Sequence, residues 1–127
     1  MVTQTTPIIH TFKEINVGKY TWVKHYELKE VINGKSLLSN SINISKDRQF
    51  SRANPDYWLK KRIGNKWSGY ITGLFKTTYK NIYKGDIDNK KHLVIFKFSD
   101  DESIVTIAIY QHYFSNDLNH LFTIFDK

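Results

Sequence analysis

The clearest periodicity in the chain runs from His92 to Phe114, HLVIFKFSDDESIVTIAIYQHYF. Side chains alternate across a strand. Leu93, Ile95 and Lys97 therefore fall on one face of the first run, and His92, Val94, Phe96 and Phe98 on the other. In the second run Ile104, Thr106, Ala108 and Tyr110 oppose Val105, Ile107 and Ile109. Apolar residues on both faces imply strands covered on both sides. Asp100, Asp101 and Glu102 sit where the chain reverses, and their charges keep that turn in water. The pattern predicts a central β-hairpin.

Two more hairpins follow from the same reasoning. Tyr20, Trp22, Tyr26, Leu28 and Ile32 share a parity, broken by Lys24 and Glu30, and Asn33-Gly34 is a strong turn signal. The return strand is expected over Lys35 to Ile44, with Leu38, Ile42 and Ile44 inward. Tyr57 to Ile63, Gly64-Asn65 and Lys66 to Thr72 predict the next hairpin. From Leu74 to Lys84, Phe75, Tyr79, Ile82 and Tyr83 make an apolar side at helical spacing, beside a stripe of Lys76, Lys80 and Lys84. Thr77-Thr78 favours a strand there instead, so both readings stay open. Ser115-Asn116-Asp117 can cap a last helix, with Leu118, Leu121, Phe122 and Phe125 at i, i+3, i+4 and i+7. Residues 1–16 read as a flexible lead around Ile8-Ile9, and Ser45 to Asp56 and Gly85 to Lys91 as exposed loops. The expected fold is one α+β domain over residues 1–127, an antiparallel sheet of hairpins with a C-terminal amphipathic helix packed on one face.

Composition narrows the class. A chain of 127 residues with 40% hydrophobic positions is long enough to bury a core. It has no cysteine, which excludes disulfides, cysteine-ligated zinc and a cysteine nucleophile. No run of about 18 apolar residues suggests a helical membrane span. The opening MVTQTTPIIHTF lacks the basic and apolar regions of a secretory signal, so a cytoplasmic location is expected.

Charge adds more. Between Lys46 and Lys91 stand twelve Lys or Arg against four Asp, and the whole positive excess of the chain comes from this block. Such a block favours an anionic partner, RNA, DNA or a ribonucleoprotein. The candidate binding residues are Arg48, Arg52, Lys60, Lys61, Arg62, Lys66, Trp67, Lys76, Lys80 and Lys84. Trp58 would share a face with Lys60 and Arg62, and cations beside Trp58 or Trp67 could hold phosphates while a ring stacks on a base. Equally, both tryptophans could anchor the core and the charges could protect a sheet edge.

Catalytic signatures are sparse. His10, His25, His92, His112 and His120 form no compact metal-binding spacing, and no P-loop, G-x-S-x-G or G-x-G-x-x-G occurs. Neither a metal nor a cofactor is expected. Pro55-Asp56 with Asp88-Asn89-Lys90 matches the permissive P-D…D-x-K pattern of Mg²⁺-dependent nucleases, but the second half falls in a polar loop.

The segments KRIGNKWSGYITGLFKT, YKGD and KKHLVIFKFSDDES, with the closing aromatic segment, cover roughly Trp58 to Phe125. They resemble small proteins of phages and mobile elements, among which stand anti-CRISPR proteins directed at type VI, RNA-guided RNA-cleaving effectors. The resemblance implies a non-enzymatic inhibitor acting inside a bacterial host cell. Its partner would be the effector ribonucleoprotein or its RNA, reached through the basic, aromatic-rich surface. A general RNA- or DNA-binding module is the alternative, and a small Mg²⁺-dependent nuclease a third.

Overall fold

A computed structural model describes residues 7–15, 23–46, 55–63, 66–67, 71–87 and 92–110. Among the described residues nine strands follow in order: β1 (Ile8–Ile15), β2 (Val23–Ile32), β3 (Ser41–Lys46), β4 (Tyr57–Ile63), β5 (Lys66–Trp67), β6 (Thr72–Lys76), β7 (Ile82–Ile87), β8 (His92–Phe98) and β9 (Ile104–Ile109). Every pairing is antiparallel, in the order β3-β2-β1-β9-β8-β7-β6-β4-β5. β3 also pairs β4, Ile42 to Lys61 through Lys46 to Tyr57. That pairing closes eight strands into a barrel, which removes the free edges that an open sheet would present.

The α+β expectation is thus overturned: among the described residues there is no helix, and the fold is an all-β closed antiparallel barrel. The closing helix expected from the Ser115-Asn116-Asp117 cap to Phe125 lies outside the described residues. Leu74 to Lys84 is not helical either. β6 ends at Lys76, the chain turns through Asn81 in left-handed backbone (φ 65°), and β7 begins at Ile82. Thr77 holds the turn, its hydroxyl donating to the Ile82 carbonyl at 2.8 Å. The helical spacing of Phe75, Tyr79, Ile82 and Tyr83 is coincidental, and the flanking segments are strands, while Thr77-Thr78 itself lies in the turn. Residues 8–15, expected within a flexible lead, form a strand between β2 and β9.

The central hairpin is present, with β8 paired to β9 from Val94–Ile109 to Phe98–Val105. Inward side chains fill the barrel: Phe12, Tyr26, Ile42, Ile44, Leu59, Leu74, Val94, Phe96, Phe98, Val105, Ile107 and Ile109 form one core. Eight strands give an interior just wide enough for such filling. The outward residues Leu93, Ile95 and Ala108 are also fully buried, so this part of the wall is covered on both sides.

Two local departures have clear causes. A bulge in β2 leaves Lys29 opposite no residue of β1, because Thr11 pairs Glu30 while Phe12 pairs Leu28. The extra residue switches parity. Val31, opposite the inward His10, takes the place expected for Ile32, which is left 42% exposed. Asn33 and Gly34 do have positive φ, but the chain does not return at once. Residues 33–40 form a loop whose Leu38 enters the core, and β3 starts only at Ser41.

One buried polar group fastens that loop. His10 is fully buried, its Nε2 accepting the Leu37 N–H at 3.0 Å and its Nδ1 lying 3.3 Å from the Ile107 carbonyl. Because the Leu37 N–H must donate, Nε2 is unprotonated and Nδ1–H donates to Ile107. Burial lowers the His10 pKa, against the opposing pull of its backbone partners.

Candidate nucleic-acid interface

The barrel has two chemically different ends. One carries the acidic β8–β9 turn, where Asp101 Oδ1 accepts the Ser103 N–H and the Ser99 and Ser103 hydroxyls. These bonds hold the Asp101 carboxyl at about 2. The Tyr26 hydroxyl donates to the Glu102 carbonyl at 2.8 Å, tying the turn to the core. Lysines at this end meet acids: Lys80 lies 3.7 Å from Asp100, and Lys24 3.8 Å from Glu14. A small recess there is lined by Lys24, Tyr26, Ile44, Lys46, Tyr57 and Phe98, beside Glu102.

The other end carries a basic arm. β4 pairs β6 only from Tyr57 to Leu59. Beyond that, Arg62 and Ile63 pair with Trp67 and Lys66 of β5. The short ribbon stands past the pairing with β6, and its run Lys60 to Lys66 holds four basic residues and no acid. Lys60 pairs Asn43 and Lys61 pairs Ile42, so the two lysines fall on opposite faces of β4. Lys66 is exposed, as is Lys35 in the loop after β2.

The ten expected binding residues are therefore not one patch. Lys60, Lys61 and Lys66 belong to the arm end, and for Arg62 and Trp67 the backbone pairing alone is described. Lys76 and Lys84 do not form the expected stripe with Lys80: Lys76 pairs the inward Tyr83, Lys84 pairs the outward Phe75, and Lys80 is in the turn. Arg48 and Arg52 lie outside the described residues.

The outer wall of β4, β6 and β7 brings together residues that the sequence reading scattered. Leu59, Leu74 and Tyr83 face or pack on the core, so their neighbours Trp58, Lys60, Phe75 and Lys84 face outward. Phe75 is 43% exposed. The backbone beneath it is clamped, with the Asp56 N–H donating to the Leu74 carbonyl at 2.9 Å and the Lys76 N–H to Asp56 Oδ2 at 2.8 Å. Asp56, the first half of the nuclease-like pattern, thus serves strand pairing, while Asp88 and Lys90 lie outside the described residues. A Cβ on Gly73 would stand 2.8 Å from Pro55 Cβ and 3.6 Å from Phe75 Cε2, so glycine lets the proline and the ring close over the wall. Beside Lys60 on the same wall, Asn43 Oδ1 is buried with no hydrogen-bond partner among the described residues.

Phe75 was missed because helical spacing assigned it to an apolar side. The alternation Gly73, Phe75 against Leu74, Lys76 was the signal for an outward aromatic. Of the histidines, His10 is a core group and His92 Nδ1 lies 3.1 Å from the Tyr110 carbonyl, while His112 and His120 lie outside the described residues. No group of three or more His, Cys, Asp or Glu able to hold a metal occurs among the described residues. No described helix is long and apolar enough to cross a membrane. Comparison with family models, curated proteins and solved structures finds no match to this chain.

Proposed function

We propose that this chain is a non-catalytic binding module that engages RNA held in a ribonucleoprotein, such as an RNA-guided nuclease, and inhibits it in the manner of an anti-CRISPR protein. The observation that carries this reading is the basic run Lys60 to Lys66 at one end of the barrel, paired to β3 as far as Lys61 and continued by the β4–β5 ribbon. A core-filled barrel leaves recognition to its exterior. Alternate cations on a strand reach phosphates on both of its sides, and their contribution falls as salt rises. An inhibitor of this kind needs no active site, only charge for encounter and anchoring contacts for residence. Binding to free RNA or DNA is the second reading, and the same arm would serve it.

Charge reversal at Lys60→Glu, Lys61→Glu and Arg62→Glu together is expected to weaken binding to a guide-loaded effector by about tenfold or more at moderate salt. Thermal unfolding checks that the variant remains folded. Unchanged affinity in a folded triple variant would contradict the role of the arm.

A further inference from the structure

We infer that the outer wall of β4, β6 and β7 is a stacking platform for single-stranded RNA, centred on Phe75. The inference rests on the reading that the protein engages RNA, and it adds which form of RNA and by what contact.

A monomeric surface exposes single apolar residues often, so Phe75 matters for its setting rather than its exposure alone. Its ring extends over Gly73 beside Pro55, and the residues on either side of it are both bonded to Asp56. The aromatic is therefore held in advance, which lowers the entropy cost of stacking a base on it. Lys84 is its direct cross-strand partner on β7. On β8, Lys97 faces outward opposite Ile82, one diagonal step from Lys84. On the other side Trp58 pairs Gly73, with Lys60 two residues further along β4 on the same face. On this wall the exposed Phe75 and the partly buried Trp58 lie beside Lys60, Lys84 and Lys97, with Asp86 following Lys84 on the same face, running from the acidic-turn end towards the arm.

This composition fits unstacked bases better than a duplex. Rings on a sheet surface offer faces to bases splayed from a single strand, whereas base faces in an A-form helix are already stacked. Lysines spaced across neighbouring strands can follow the phosphates beside them.

The test uses the full chain and a fluorescein-labelled 20-nucleotide polyuridine, with a blunt RNA duplex as comparison, read by fluorescence anisotropy at low salt. Phe75→Ala should weaken single-strand binding about tenfold, Phe75→Tyr should restore it, and duplex binding should change little. Phe75 is exposed, so the variants should melt with the wild type. If Phe75→Ala binds the single strand as wild type does, while the Lys60, Lys61, Arg62 reversal abolishes binding, the platform is wrong and the RNA reading stands. If the wild type binds neither RNA, the platform falls, while the ribonucleoprotein reading stands or falls with binding to a guide-loaded effector.

Discussion

Phe96→Ala should destabilise the protein by about 3–5 kcal/mol, read as a lower midpoint in urea with little change in slope. The ring is fully buried in the barrel core, and its strand neighbours across β7 and β9 are Tyr83 and Ile107. The ring lies between two rigid hydrogen-bonded strands, so the walls cannot collapse far into the space it leaves. Cost then follows the cavity as well as the lost transfer free energy. Phe75→Ala is the natural contrast, because the same atoms are removed from a residue 43% exposed. Its stability should stay within about 0.5 kcal/mol of the wild type. A loss below about 1 kcal/mol for Phe96→Ala would mean that the ring does not fill a closed interior.

Acidification should loosen the protein through His10. Its folded pKa lies below the ordinary value of 6.5 because burial disfavours the imidazolium. The unfolded chain consequently binds the proton more readily than the folded one. Stability from this group is complete above about pH 6.5 and declines as pH falls below it. Protonation at Nε2 also destroys the acceptor that holds the Leu37 N–H, so the loop carrying Leu38 should be released first. His25 is shifted the same way by burial and adds to the slope. Asp101 acts in a separate window, because its carboxyl is held at about 2 and titrates only in strong acid. Urea midpoints from pH 7.5 to 5 should therefore fall for the wild type and fall less for His10→Gln. His10→Ala should cost about 2–4 kcal/mol at pH 7.5, since it leaves the Leu37 N–H and the Ile107 carbonyl without their partner. Equal slopes in wild type and His10→Gln would remove His10 from the account.

His10 also shows why part of the fold was hidden in the sequence. The strand Ile8–Ile15 alternates correctly only if a histidine is counted as a core residue, and nothing in the neighbouring residues says that its two nitrogens find backbone partners from Leu37 and Ile107. The β8–β9 hairpin was legible because its apolar residues dominate both faces and its turn is acidic. Ile42 and Ile44 were legible because they alternate with polar neighbours and so mark a single inward face. The bulge that turns Val31 inward, and the β3–β4 pairing that closes the barrel, come from long-range partners that local periodicity does not record. The basic arm was legible as composition and as a hairpin. Its position at the end opposite the acidic turn was not, because strand direction around a closed barrel decides it. Phe75 emerged only once Leu74 was fixed in the core and Asp56 on the backbone around it.

The proposed engagement of RNA through the arm end is tested most directly by gel filtration of the pure protein with total RNA, and separately with a guide-RNA-loaded effector, at low and high salt. Co-elution with the loaded effector that survives high salt, together with weaker, salt-sensitive binding to bare RNA, is the predicted result. Elution as the free protein from both mixtures at low salt would contradict the proposal.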